Sequence, residues 1–464
     1  MYELARSKLM KKPGRRFLRP KVFRLAEYLG WNGRFVWFVV AFCCVISSTN
    51  GSDRPNIIVI LADDLGYGDT SIYDGWVKTP HLEKLAAEGL TFTDFHTNSS
   101  VCSPTRAAFL TGRYQQRVGI VDVLAGHLDT PPLDTSEITI ADLMKQVGYR
   151  TALFGKWHLG MKPANNPVHL GFDEFRGYLD GYIDYHSHAR RWHHNLEIEP
   201  QDGYSTHLIT KNSVRFIKEN ADKPFFLYVS HEAVHLPFQT PDDTPENRKP
   251  IPKEQQWSRE RIRPKYKVML EELDKGVGEI PSALKSADID DRTLVFFFSD
   301  NGAIGAGSNA PWRGGKFSHY EGGHRVPAIA RWPGRIAAGT TNDDLVVAMD
   351  LLPTFAQIVG AKLPSGRYFD GMSISNTLFD GKKVPHRKVF FGYEPKLGTA
   401  MRDGKWKMIV KEEKTQLFNV GDDPGERKNL VDMHPDRAAK MKDEIERWKR
   451  ETTFNSNTTR KTKL

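Results

Sequence analysis

Four apolar, strand-like runs each end on polar residues that can bind a metal or move a proton. NIIVILA (Asn56–Ala62) leads into Asp63-Asp64, and TALFG into Lys156-Trp157-His158. FFLYVS leads into His231 and then His235, and LVFFFS into Asp300-Asn301. Ligands of open α/β sheets gather at the carboxyl ends of the strands, so four such ends point to one shared site. Asp63, Asp64, Asp300 and Asn301 offer hard oxygen donors and need no thiolate to complete the set. That suits Ca2+ or Mg2+ better than zinc. A single Asp pair after a strand equally serves as a turn or cap, but two pairs at two strand ends favour a metal.

Cys102-Ser103-Pro104-Thr105-Arg106 opens a helical pattern that stops at Gly112. Pro is tolerated in a first turn. Cys102 then lies at a helix N-terminus, where free amides and the dipole favour negative charge, and Arg106, four residues on, shares its face. A buried structural Cys beside an unrelated Arg fits a bare CxPxR as well. Lys156 and His158, read as one extended segment, face the same side and reach one anion. His235 sits in a loop, and Lys316 ends the turn Trp312-Arg313-Gly314-Gly315-Lys316. Taken singly, these are a strand edge, a solvated His and a surface Lys. Together, cations around a metal imply a substrate bearing a compact, multiply oxygenated anion. Residues 182–194 (YIDYHSHARRWHH) bring His186, His188, His193 and His194 together with Arg190, Arg191 and Trp192, which suits either a sugar ring or an ordinary solvated loop.

The elements that position these residues alternate. Helical spacing covers His81–Glu88 and Thr139–Val147, and strand-like runs cover Tyr149–Phe154, Phe225–Ser230 and Thr293–Ser299. This predicts an α/β fold with a large, mostly parallel or mixed sheet flanked by helices. The Pro- and charge-rich stretch 241–266 reads as a surface excursion. Short alternating segments from about Lys388 (KVFFGYE, TAMRDGKWKMIV, TQLFNV), then a charged helix over Pro435–Arg450, predict a small C-terminal subdomain of antiparallel sheet plus helix. The expected organisation is a leader at 1–52, a catalytic domain at 53–385, the subdomain at 386–452 and a polar tail at 453–464. No internal repeats are evident.

The 464 residues are 39% hydrophobic and 27% charged, an ordinary globular composition. Residues 1–52 hold ten Lys/Arg and two acids, so +8 of the net +9 lies there and the body is nearly neutral. The body has no electrostatic footprint for nucleic acid. The basic stretch, the apolar run FVWFVVAFCCVI and the small residues that follow have the plan of an export signal. The run is short for a membrane span, so no stable span is expected after processing, and a retained anchor is the alternative. Once the leader is removed, Cys102 is the one remaining cysteine and has no partner for a disulfide.

From Arg54 to about Leu430 the motifs resemble the type I sulfatases of the alkaline-phosphatase-like superfamily. They are CSPTR continuing as AAFLTGRY, DRPNIIVILADDLGYGD, GYRTALFGKWHLG, FFFSDNG, RGGKFSHYEGGHRVPAI, RDGKWKMI and LFNVGDDPGERKNL. The resemblance implies an exported sulfuric ester hydrolase in which a maturation enzyme converts Cys102 to formylglycine. One diol oxygen of the hydrated aldehyde would attack sulfur, and the other would expel sulfate. Asp63, Asp64, Asp300 and Asn301, with residue 102 itself, would surround one Ca2+, and Arg106 would stabilise the hydrated aldehyde. Lys156, His158 and Lys316 would bind sulfate, and His235 would protonate the leaving oxygen with Lys316. His231 is the rival for that role, and His186 is a further candidate for substrate contact. The expected substrate is a carbohydrate sulfate of a glycosaminoglycan-like or algal galactan polymer. The alternatives are a phosphonate or phosphodiester hydrolase of the same superfamily, a thiol hydrolase using unmodified Cys102, and a non-catalytic binder of sulfated glycans.

Overall fold

The computed structural model describes residues 54–124, 131–188, 191–246, 248, 258–394 and 397–453. The leader expected at 1–52 and nearly all of the polar tail lie outside them. Among the described residues, no helix is long and apolar enough to cross a membrane. The described residues form sixteen strands in chain order. They are β1 (Asn56–Ala62), β2 (Leu90–Phe92), β3 (Phe95–His96), β4 (Arg150–Lys156), β5 (Glu174–Tyr178), β6 (His193–His194), β7 (Glu197–Ile198) and β8 (Phe225–Ser230). Then come β9 (Thr293–Ser299), β10 (Ala328–Arg331), β11 (Thr340–Asn342), β12 (Val346–Val347), β13 (Lys388–Glu394), β14 (Gly398–Asp403), β15 (Trp406–Lys411) and β16 (Lys414–Asn419).

Ten strands form one mixed sheet in the order β11-β2-β10-β9-β1-β8-β4-β5-β6-β7. Its centre, β9-β1-β8-β4, is parallel. Strand alternation divides the apolar residues between two cores. Ile57, Val59, Leu61, Phe226, Tyr228, Phe296 and Phe298 face one side, and Ile58, Ile60, Leu227, Val229 and Phe297 face the other. A strand covered on both faces needs an unbroken apolar run, which explains why NIIVILA and TLVFFFS carry no polar alternation.

The first core is covered by α2 (Cys102–Thr111), α3 (Ile140–Gln146) and α7 (Leu351–Val359). The second is covered by α1 (Pro80–Ala87), α4 (Ser205–Glu219) and α5 (Arg259–Ser286). Thr139 caps α3 by accepting from the Asp142 amide, while the Asp142 carboxylate returns to the Thr139 amide. α2 ends at Gly112, whose φ of +65° makes it a left-handed C-cap.

β13 to β16 form a four-stranded antiparallel sheet, and α9 (Pro435–Thr452) packs on it through Met441 and Ile445. Two expectations need correction. The excursion at 241–266 is shorter than its composition suggested: α5 begins at Arg259 and carries Pro264 within its second turn. Pro264 lies beyond the first turn, so it removes one intrahelical hydrogen bond, a cost offset by the buried face of α5 at Ile262, Tyr266, Met269 and Leu270. The segment Lys156–His158 is not uniformly extended either. Lys156 ends β4 and His158 has φ +59°, so simple alternation does not align the two side chains.

A buried ionic network ties the C-terminal sheet to the rest. Lys407 of β15 donates to Glu321 at 2.9 Å and forms an ion pair with Glu426 at 2.9 Å, and Arg402 of β14 donates to Glu321 at 2.7 Å. Arg402 and Arg325 pair with Asp94, which also takes His96 Nε2 at 2.7 Å. Burial opposes the Asp94 charge, but Arg402, Arg325 and His96 outweigh it and hold its carboxyl down to about 2.

Two outcomes follow. Lys407→Met leaves Glu321 and Glu426 short of a buried counterion and should cost about 3–5 kcal/mol in a urea titration; a loss below about 1 kcal/mol would contradict the network's role. The Asp94 pKa is depressed on folding, so its stabilisation is full above the unfolded value of about 3.9 and is lost as pH falls toward 2. The stability gap between the parent and Asp94→Asn should be flat at neutral pH and close on acidification through that window. A gap independent of pH would argue against it.

Candidate active site

Register brings the polar strand ends together. Ala62 pairs with Ser299, so the next residues, Asp63 and Asp300, emerge side by side. Leu61 and Gly155 both pair with Ser230, which brings Lys156 to the same edge. The four central strands span only about 14 Å at ~4.8 Å per step, within reach of side chains aimed inward.

Cys102 is the first residue of α2, and its side chain is buried. One turn on, Arg106 is fully buried and anchored on all sides. Its Nε and Nη2 contact Asp300 Oδ2 at 3.0 and 2.8 Å, and Nη2 lies 3.7 Å from Asp63. Its Nη1 donates to Ser230 Oγ at 2.6 Å and to the Lys156 carbonyl at 3.3 Å. Lys156 Nζ pairs with Asp63, and Lys316 Nζ donates to Asp64 Oδ1 at 2.6 Å. Asn301 Nδ2 reaches the same oxygen at 2.7 Å, and His235 Nε2 stands 3.7 Å from Asp64 Oδ2. Three carboxylates thus stand against three fixed cations, a formally neutral cluster before any ligand binds.

Burial opposes every charge here, and the neighbours decide the outcome. Lys156 and His235 draw Asp63 below the ordinary carboxylate value, and Lys316 and His235 do the same for Asp64. Burial and Asp63 leave Asp300 raised. Burial also raises the Cys102 thiol, against the pull of Lys156 and Lys316. The carboxylates around Lys316 overcome its burial and keep it protonated. His158 is driven well below the ordinary imidazole value by burial, Lys156 and Arg106; its Nε2–H donates to the Leu124 carbonyl at 3.0 Å.

The donor set fits a hard divalent cation. Asp63 Oδ1, Asp64 Oδ2 and Asn301 Oδ1 are buried with no hydrogen-bond partner among the described residues. Ligand atoms of Asp63, Asp64 and His235 lie within 4.8 Å of one another, as do those of Asp63, Cys102 and Asp300. An orphaned buried oxygen is costly unless something electropositive meets it.

Cys102, Arg106, Lys156, His158, His235, Lys316 and the four oxygen donors therefore converge. His231 and His186 do not. His231 is fully buried, and burial pushes it down to about 3. His186 hands Nε2 to the Thr240 carbonyl and packs on Tyr204. Most other described groups of the 182–194 stretch are also engaged elsewhere. His188 bonds two backbone carbonyls, His194 and Arg191 pair with acids, and Trp192 is in the core.

The start of this stretch and the glycine before it reach the site through residues that sequence reasoning passed over. A Cβ on Gly181 would lie 2.7 Å from His158 Nε2, and the Tyr182 ring stacks on His235 with centroids 6.1 Å apart. Ser230, which holds Arg106, was also missed; its place as the last residue of a strand that delivers His235 was the available signal.

Comparison with known proteins shows the family. The family profile described as Sulfatase matches residues 55–361, and that of the N-sulphoglucosamine sulphohydrolase C-terminal region matches 313–451. The chain is 33% identical to N-acetylgalactosamine-6-sulfatase of Mus musculus, over 80% of this chain and 81% of that protein. It is 34% identical to arylsulfatase G of Rattus norvegicus, over 81% and 78%. Among solved structures, Ps i-CgsB superposes with a TM-score of 0.78 at 31% identity, covering 85% of this chain and 92% of that one. The same protein has also been solved with k-i-k-neocarrahexaose.

Gly181→Ala tests the packing of this loop on His158. The added methyl must displace the imidazole or the loop, so kcat/KM should fall about tenfold or more, with little change in thermal unfolding. Unchanged kcat/KM would mean that the contact does not position His158.

Proposed function

Because the chain belongs to the sulfatase family and is an enzyme that hydrolyses sulfate esters, we propose that its substrate is a carbohydrate sulfate, cleaved through a modified Cys102 beside a bound Ca2+. One observation carries this reading: a buried Cys at a helix N-terminus stands among three carboxylates and three cations, with orphaned oxygens between them. Asp63, Asp64, Asp300 and Asn301 would hold the Ca2+, which when bound neutralises charge on the sulfuryl oxygens. Formylglycine at position 102, installed by a maturation enzyme, would supply a hydrated aldehyde as nucleophile. The raised Cys102 thiol supports this over a thiolate hydrolase, since burial disfavours the anion.

The chain's own residues then divide the work. Arg106, fixed by Asp300 and Ser230, presents a rigid cation to the face of residue 102. Lys156 and Lys316 meet the developing charge on the sulfate without having to reorganise. His158 keeps Nε2–H on the Leu124 carbonyl, and its neutral ring adds a dipole rather than a charge. His235 donates Nδ1–H to the Leu236 carbonyl at 2.7 Å, which turns Nε2 toward Asp64. As the imidazolium beside the Asp64 carboxylate it would give its Nε2 proton to the leaving oxygen, while Lys316 stays protonated and holds positive charge next to it. Residues 53–385 would form the catalytic domain and 386–452 the C-terminal subdomain of an exported enzyme. The relatives' names, an N-acetylgalactosamine-6-sulfatase and a protein crystallised with neocarrahexaose, support a galactose-type sugar sulfate.

Matched sulfate and phosphate monoesters of a galactose-type glycoside test the reading. Sulfate should be released at least about 100-fold faster, and chelation should abolish release until Ca2+ is restored. Preference for the phosphate ester would favour the superfamily's phosphoryl-cleaving members instead. His235→Ala should cost about 100-fold or more on a sugar sulfate, whose alkoxide needs a proton, but less than about tenfold on a nitrophenyl sulfate. Equal losses on both would remove His235 from the acid role.

A further inference from the structure

Seven large hydrophobic side chains are exposed among the described residues, and two of them border the candidate site. Tyr182 is 48% exposed and its ring lies nearly parallel to that of His235, with an interplanar angle of 23°. Phe317 is 47% exposed, directly follows Lys316 in sequence, and its ring centroid lies 5.6 Å from Lys316 Nζ. His235 and Lys316 address the two oxygens of one carboxylate, Asp64 Oδ2 and Oδ1. Each aromatic ring therefore flanks one of the two groups assigned to the leaving oxygen.

Phe317 is also held in an unfavourable backbone conformation. Its φ is +68°, a region that bulky L-residues rarely enter. Its amide donates to the Ser100 carbonyl, two residues before Cys102, at 3.1 Å, and Lys316 N–H donates to the Ala303 carbonyl at 3.2 Å. Glycine would take this position at no steric cost. A ring left about half exposed at a strained position is better placed to meet a ligand than to fill the core, so the strain points to a ligand.

Resting on the carbohydrate-sulfate reading, we infer that Tyr182 and Phe317 form a two-ring mouth that grips the apolar face of the pyranose carrying the sulfate. The polar cluster recognises the anion alone and is blind to the group behind it. The two rings supply apolar, planar surface at the point where the sugar must leave the cluster. Small alkyl sulfates would engage the cluster but not the rings. The residues that select a sugar are then these two aromatics, not the histidines of the 182–194 stretch.

Steady-state kinetics on Tyr182→Ala, Tyr182→Phe and Phe317→Gly test this with a sulfated N-acetylgalactosaminide, alongside inhibition by inorganic sulfate and thermal unfolding. Tyr182→Ala and Phe317→Gly should each raise KM about fivefold or more, as expected for a lost ring contact. The Ki of inorganic sulfate should stay within about twofold, because it reads only the anion cluster. Tyr182→Phe should keep the parental KM. Phe317→Gly should unfold at the same or a higher temperature, since it relieves the positive φ. An unmoved KM in both variants, with the parent active on the sugar sulfate, overturns the mouth alone. A KM and Ki that rise together also overturn it, because the rings would then be shaping the anion cluster. A parent enzyme that cleaves simple alkyl sulfates but no sulfated sugar overturns the substrate reading, and the mouth with it.

Discussion

Three carboxylates cannot stay ionised side by side inside a protein unless cations stand among them. Asp63, Asp64 and Asp300 are buried at adjacent strand ends, and Lys156, Lys316 and Arg106 are buried against them. Removing one member of such a cluster leaves a charge uncompensated, at a cost of several kcal/mol. The rest of the site inherits its geometry from this balance. Arg106 is placed by Asp300, which places α2, which places residue 102. Lys316 is placed by Asp64, which sets the turn that carries Phe317.

The fold supports this cluster because four neighbouring strands end together. β1 has β9 on one side and β8 on the other, so residues distant in sequence emerge at one edge. Apolar layers on both faces of the sheet keep water from the charges and strengthen each interaction. The second ionic network, around Glu321 and Lys407, applies the same principle between the C-terminal sheet and the rest. There each carboxylate is paired with a cation, whereas at the strand ends Asp63 Oδ1, Asp64 Oδ2 and Asn301 Oδ1 have no hydrogen-bond partner among the described residues.

Much of this was legible beforehand because it depends on local pattern. Unbroken apolar runs marked β1, β8 and β9, and the alternating segments after Lys388 marked the antiparallel sheet. The residues just after those runs marked Asp63, Lys156 and Asp300, and the resemblance around Cys102 supplied the family. What was hidden depends on contacts between distant segments. His158 turns inward through a left-handed residue, which no alternation predicts. By composition the histidines of 182–194 suit a sugar or a solvated loop equally, but carbonyls and acids of neighbouring segments engage His186, His188 and His194. Tyr182 was invisible because stacking on His235 is a property of two loops, not of either one.

The central claim is that residue 102 acts as something other than a thiol. The mass of the peptide carrying residue 102, taken from purified and fully active enzyme, tests it most directly. The account predicts a peptide that has lost its sulfur and reacts as an aldehyde. An intact cysteine in enzyme that still releases sulfate at its full rate would contradict it.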